Sequence, residues 1–307
     1  MDKTSWLEIS LQVTPEQAEA VAEVLGRFTS EGVVVERLTD HSKNPIGTPA
    51  KKVRVFGYLF ADSQLEEKKM RLEEALFYLG RIQPLPDPSY KLIHDQNWMA
   101  AWKDQYQPLK VGQRLAILPA WAENPYPNRT PIRINPGMAF GTGTHPTTQL
   151  CLELMETRVG PDTDVIDVGC GSGILSIAAI LLGASQAYGT DISPAAVQSS
   201  LENAKLNNIS NKVSFTRGSV GEIINGTFDI VDAPLVVVNI LANIILRLFD
   251  QDLGELISPG GELILSGILE TQADEVLHHA KQSGFTLIEK REIDDWVALC
   301  VSKKSAP

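Results

Sequence analysis

Seven residues, Asp167-Val168-Gly169-Cys170-Gly171-Ser172-Gly173, leave this chain few folds to choose from. They join an apolar run, Val165-Ile166-Asp167-Val168, to a second, Ile174-Leu175-Ser176-Ile177-Ala178-Ala179-Ile180. A short strand that turns through glycines into a helix is a βα unit, and repeated βα units build a parallel sheet with helices on both faces. Glycines here let a ligand approach the backbone at the positive end of the helix that follows. The competing reading is a tight turn that holds nothing. The spacing is G-x-G-x-G, not the G-x-G-x-x-G of dinucleotide-binding turns.

The βα alternation continues to the end of the chain. Strands are expected at Ala187–Thr190, Val213–Thr216, Leu235–Val238 and Glu262–Leu265, and a helix near Thr271–Gln282. Two last strands, Phe285–Glu289 and Trp296–Val301, follow with only a short Asp294-Asp295 link between them. No helical crossover fits in that link, so the pair must be antiparallel. A parallel sheet finished by an antiparallel hairpin resembles the Rossmann-like class I methyltransferase fold. A dinucleotide dehydrogenase would keep its last strand parallel.

The front of the chain reads differently. Trp6–Val13 alternates apolar and polar residues as a half-buried strand does. Thr14-Pro15-Glu16 predicts a helix start, and Gly32 its end. Val33–Leu38 and Val53–Phe60 are strands joined by a loop with Asn44, Pro45, Gly47 and Pro49. A charged helix from about Leu65 to Leu79 and a strand at Tyr90–His94 complete a βαββαβ order, that of an α+β ferredoxin-like sandwich. It carries no chemical constellation and reads as a substrate-recruiting domain over residues 1–96. Residues 97–130 read as a linker, with a short tryptophan-bearing helix at Asn97–Lys103, and the prolines Pro119, Pro125, Pro127 and Pro131 lead on to the next domain. The catalytic domain is expected over 131–307, and two domains suit a 307-residue chain.

Composition prunes the functional classes. The formal charge of −11 argues against broad nucleic-acid binding, which needs Lys and Arg to neutralise phosphates, and suits a small molecule or a basic protein. No apolar run reaches the roughly 18 residues that span a bilayer. The N-terminus lacks a signal-peptide pattern, so a cytoplasmic location without membrane contact is expected. Cys151, Cys170 and Cys300 lie far apart, with no metal-ligand spacing and no disulfide framework.

Three further segments fall where ligands of α/β sheets bind, beyond the carboxyl ends of strands. Asp191 follows Gly171 by 20 positions (191 minus 171) and can accept hydrogen bonds from a ribose diol. Ser193 and Pro194 already supply the cap and first turn of the next helix, which leaves Asp191 free for a ligand. Asn239, at the end of the fourth strand, offers both an acceptor and a donor, or else caps the helix after it. The polar loop Asn135–Thr148 precedes the sheet, and Thr147 or Thr148 either caps a helix or offers a hydroxyl to a ligand. His145 is a loop histidine, structural or a general base.

Gly141-Thr142-Gly143-Thr144-His145-Pro146-Thr147-Thr148, the 167–173 turn with Ile174-Leu175, and Asn239-Ile240-Leu241-Ala242 together resemble the signature of the bacterial ribosomal protein L11 methyltransferases. The resemblance is specific from about Asn135 onward and looser before it. It implies an S-adenosylmethionine-dependent protein N-methyltransferase acting on lysine or N-terminal amines of ribosomal protein L11, with the front domain gripping that substrate. It implies that Thr148, Gly169, Gly171, Asp191 and Asn239 contact the cofactor, with no metal, and makes Asn239 a candidate to position the amine. Related amine and amide methyltransferases often carry Asn-Pro-Pro-Tyr where this chain has Asn239-Ile240-Leu241-Ala242. The segment Phe228–Pro234 is longer than that pattern expects.

Overall fold

The computed structural model describes residues 5–29, 33–37, 52–94, 107–135 and 143–303. The loop at 38–51 with its glycine and prolines, the tryptophan-bearing helix at Asn97–Lys103, Gly32 and residues 136–142 of the 135–148 loop lie outside them. The chain divides into two compact units, Met1–Tyr106 and Gln107–Pro307. No helix among the described residues is long and apolar enough to cross a membrane.

The first unit runs β1 (Ser5–Val13), α1 (Pro15–Gly26), β2 (Val33–Arg37), β3 (Val53–Phe60), α2 (Leu65–Ile82) and β4 (Ser89–His94). Its sheet has the order β2-β3-β1-β4 with every neighbour antiparallel. Pro15 starts α1, and the Thr14 backbone N–H donates to Gln17 Oε1 at 3.1 Å. The helix ends at Gly26, short of the expected Gly32. Ile9, Leu11 and Val13 share one face of β1 and pack with Val21 and Leu25 of α1 and Leu72 and Leu76 of α2. The other face of β1 is not simply solvated. Glu8 is buried there, accepts from Arg54 Nη2 at 2.5 Å and from the Tyr58 hydroxyl at 3.2 Å.

The second unit begins earlier than the sequence suggested. Residues 107–130, expected as linker, hold β5 (Leu109–Val111) and β6 (Leu115–Pro119), which form a small sheet with β7 (Thr130–Ile134). All five residues of β6 are buried. Leu115, Ile117, Ile132 and Ile134 join the same core as the helices of this unit. The prolines masked a strand whose apolar residues are too few to show periodicity.

The main elements follow as α3 (Pro146–Met155), β8 (Val165–Val168), α4 (Ile174–Leu182), β9 (Ala187–Asp191), α5 (Pro194–Leu206), β10 (Val213–Arg217), α6 (Val220–Ile224), β11 (Ala233–Asn239), α7 (Ala242–Phe249), β12 (Ile257–Leu269), α8 (Glu270–Gln282), β13 (Phe285–Ile293) and β14 (Trp296–Lys303). The sheet order is β10-β9-β8-β11-β12-β14-β13. β8 to β12 run parallel to one another, while β14 runs antiparallel between β12 and β13. This is the α/β class I methyltransferase arrangement, and the antiparallel β14 departs from a dinucleotide dehydrogenase. Val165, Val237 and Ile264 face one helical layer with α3 and α4; Ile166, Val236, Val238 and Leu265 face the other with α7 and α8. The Phe228–Pro234 segment finds its place here. The Phe228 ring lies 5.2 Å from that of Tyr188, Asp232 accepts from the Ser258 hydroxyl, and β11 starts at Ala233.

Candidate active site

The strand order reverses between β8 and β11: the chain leaves β8 towards β9 and β10, then returns to β11. Such a switch point opens a crevice at the carboxyl ends of the strands. Val168 and Val238 are paired there, so the next residues, Gly169 and Asn239, stand at its mouth. A small, partly open crevice is lined by Thr148, Gly169, Cys170, Gly171, Ile174, Leu175 and Asn239. Four residues expected to bind a ligand, from three distant parts of the chain, thus come together. Asp191 is not among the lining residues.

The glycine turn is held by a set of bonds. Gly169, Gly171 and Gly173 all have positive φ. At Gly169 a Cβ would lie 2.6 Å from Ile240 Cγ2, so both conformation and space call for glycine. The backbone N–H groups of Gly169 and Cys170 donate to the Thr190 carbonyl at 2.8 and 2.9 Å. The Ser200 hydroxyl donates to the Gly171 carbonyl at 2.8 Å, and Asn203 Nδ2 donates to the Ser172 carbonyl at 2.9 Å. Both side chains are fully buried on α5. Asn203 Oδ1 also accepts from Asn135 N at 2.9 Å, so one amide ties the glycine turn to the end of the β7 segment. Sequence reading missed Ser200 and Asn203. Their signal was two polar residues on one helix face otherwise facing the core.

Asp191 is not free, as the capping argument had it. Its Oδ2 accepts from Gly171 N at 3.0 Å and its Oδ1 from Ser193 N at 2.9 Å. Ser193 does cap α5, accepting from Ala196 N at 3.4 Å. A carboxylate has about four acceptor positions, so these two bonds leave room for a ligand and hold the side chain in one orientation.

At the other wall, α3 presents Thr147 and Thr148, both buried. The helix cap is His145, not a threonine: its Nδ1 lies 2.7 Å from Thr147 Oγ1 and accepts from Thr147 N at 3.3 Å. The imidazole also packs edge-on against Trp296 at 4.7 Å. Nδ1 thus serves the start of α3, the structural one of the two roles open to this histidine. Thr148 Oγ1 accepts from Asn239 Nδ2 at 3.4 Å. Asn239 Oδ1 is buried with no partner among the described residues. Buried polar atoms are nearly always paired, so this acceptor marks where a ligand group or water belongs.

Asp167 sits behind the turn, fully buried. Its Oδ2 accepts from Ser176 N at 3.1 Å and from the Ser176 hydroxyl at 2.7 Å, which pins the first turn of α4. Burial raises its pKa to about 6 against those two bonds, which lower it. Burial likewise pushes the thiols of Cys151 and Cys170 well above their ordinary range, so both are neutral packing residues.

The model of the family described as Ribosomal protein L11 methyltransferase (PrmA) matches residues 5–304. A ribosomal protein L11 methyltransferase of Chloroflexus aurantiacus is 38% identical, with 97% of this chain and 98% of that protein covered. One from Anoxybacillus flavithermus is 36% identical, with 97% and 99% covered. The crystal structure of a ribosomal protein L11 methylase from Lactobacillus delbrueckii subsp. bulgaricus superposes with a TM-score of 0.57 at 32% identity, covering 65% of this chain and 98% of that one.

Proposed function

The chain belongs to the ribosomal protein L11 methyltransferase family, and from that premise we propose that it transfers methyl groups from S-adenosylmethionine to amino groups of ribosomal protein L11. The targets are lysine side chains, the N-terminal amine, or both. The observation that carries this reading is the buried Asn239 Oδ1, without a partner among the described residues, in the wall of a glycine-lined crevice.

The crevice suits the methyl donor. Gly169 and Gly171 present no side chain to obstruct a close approach, and the turn leads into the N-terminus of α4. Thr148, Gly169, Gly171, Asp191 and Asn239 are the residues we assign to hold the donor, with Asp191 offering acceptors to a ribose diol. S-adenosylmethionine, when bound, supplies a methyl group on a positively charged sulfur.

The protein's own residues then orient the amine and exclude water. A lysine ammonium cannot attack, and removing its proton at pH 7 costs about 4.6 kcal/mol from the reference pKa. Burial of the amine beside a cation lowers that pKa and reduces the cost. Asn239 Oδ1 accepts a hydrogen bond from the neutral amine and so directs its lone pair. A neutral amide does this without favouring the ammonium form, as a carboxylate would. Holding the two partners in line supplies most of the acceleration such a transfer needs.

We assign the first unit, with its βαββαβ order, to grip the protein substrate. The net charge of −11 favours the approach of a basic protein. We place the activity in the cytoplasm, without membrane attachment and without direct nucleic-acid binding. Incubation with labelled S-adenosylmethionine and purified L11, followed by mass spectrometry of the product, tests the reading. Methyl groups on L11 amines are expected; an unlabelled L11 overturns it.

A further inference from the structure

A bulge in β12 stands beside Asn239. The β12–β14 ladder runs from Leu265 opposite Leu299 to Ile268 opposite Val297, so Ser266 and Gly267 together face a single residue. Bulges bend a strand, re-aim a side chain, and concentrate next to active sites. On its other edge the same stretch meets β11, where Ser266 is paired with Asn239. Ser266 is fully buried. Its hydroxyl donates to the Val297 carbonyl at 3.2 Å and lies 3.4 Å from the Thr147 carbonyl in the first turn of α3.

Gly267 has φ +84. A Cβ there would overlap the Ile240 carbonyl oxygen and lie 2.6 Å from its carbonyl carbon. These are backbone atoms, so no rotamer change relieves the collision. Ile240 also occupies the space a side chain at Gly169 would need. The residue directly after Asn239 is therefore seated against two glycines, one in the crevice wall and one in the bulge. Ser266 meanwhile ties the bulge to the helix that carries Thr148.

We propose that the Ser266–Gly267 bulge is a positioning element for methyl transfer, setting where the Asn239 amide stands relative to Thr148 and Gly169. The inference rests on the reading of Asn239 as the amine contact. Neither Ser266 nor Gly267 lines the crevice, and both act through the Asn239–Ile240 backbone. A purely structural bulge would lower stability when altered, yet its effect on turnover would not depend on what stands at 239.

The test is a double-mutant cycle in the full chain, read as kcat and KM for L11, with thermal melts to confirm folding. Gly267→Ala is expected to lower kcat on the order of 100-fold, the cost of a misplacement of about 1 Å. KM for L11 should stay within about threefold, since uniform binding is untouched. In an Asn239→Ala background the same Gly267→Ala change should lower kcat by less than about threefold, because residues acting as a unit are not additive. A full, multiplicative loss in that background overturns the proposal while leaving the role of Asn239 intact. Unchanged kcat for Asn239→Ala alone overturns the reading of Asn239, and this proposal with it. If Gly267→Ala does not fold, Ser266→Ala, which adds no atom, decides by the same cycle. A fall in kcat that disappears without the Asn239 amide supports the proposal; no fall, or one that persists, overturns it.

Discussion

Asn239 reaches across 91 positions of sequence to donate its amide to Thr148 Oγ1 at 3.4 Å, which leaves its carbonyl oxygen a buried acceptor with no partner among the described residues. That division of the amide is the basis of the first prediction. Asn239→Asp is nearly isosteric but charged, and an opposite charge stabilises the ammonium form of the target. Turnover should fall more than methyl-donor affinity, and raising the pH should recover part of the loss. Asn239→Ala should lower turnover without the added pH dependence. Steady-state rates from pH 7 to about 10, where a lysine titrates, separate the two. Parallel profiles for both variants would mean that Asn239 does not touch the amine.

Asp191 serves the turn as well as the ligand. Asp191→Ala removes the acceptor for Gly171 N and Ser193 N together with the proposed ribose contact. Donor affinity should fall by about 1.5–3 kcal/mol, the worth of a hydrogen bond to a charged group. Asp191→Asn keeps one acceptor oxygen and should lose less. Calorimetry on the folded variants measures both, and unchanged affinity in Asp191→Ala would remove Asp191 from the site.

Asp167 should leave a signature in stability. Its pKa is raised from 3.8 to about 6 in the folded protein, chiefly by burial. Between those values the native state keeps a proton that the unfolded chain has lost. The stabilisation from this group is therefore complete below pH 4 and is lost as pH rises through about 6, by up to roughly 3 kcal/mol. Asp167→Asn stays neutral and preserves an acceptor for Ser176. The stability of the variant minus that of the unaltered protein should rise between pH 4 and 6 and then level off. Urea unfolding across that range reads it directly, and a flat difference would show that the carboxyl is not so shifted.

The place where the chain can be cut is a further prediction. A fragment starting at Gln107 keeps β5, β6 and β7 and should fold, bind the donor and lose most activity on L11. A fragment starting at Pro119 removes four residues of β6, all buried. It exposes the core facing Leu115 and Ile117, and at a few kcal/mol for each large buried side chain removed it should not fold stably. Circular dichroism melts and donor binding compare the two. Full activity of the Gln107 fragment on L11 would reassign substrate recruitment to the second unit.

Local patterns in the sequence marked the strands of the second unit from β8 onward. Val165–Val168 is β8 to the residue, and the Asp294-Asp295 link led directly to an antiparallel β13–β14. Such features are legible because periodicity, glycine turns and loop length act over a few neighbouring residues. The same local chemistry marked Gly169, Gly171, Asp191 and Asn239 as candidates. What it could not supply was their partners. That His145, not Thr147 or Thr148, caps α3 depended on side-chain reach in three dimensions. That Asp191 spends both oxygens on Gly171 and Ser193 depended on β9 and the turn meeting at the Thr190 carbonyl.

β6 shows the limit most clearly. Five residues ending in a proline carry no readable period, and they became a buried strand only because Ile117 and the residues of β7 found α3 and α4 to pack against. The bulge at Ser266–Gly267 is of the same kind. A serine and a glycine inside an apolar strand are locally unremarked, and their role arises where β12 lies between β11 and β14, with the Ile240 backbone too close for any side chain. Sequence alone marked the strands from β8 onward, the glycine turn and the candidate ligand contacts, since those follow from nearest-neighbour sterics and patterning. The tertiary fold alone decided which of them touch, because hydrogen bonds and close packing depend on distances between segments that the order of residues does not set.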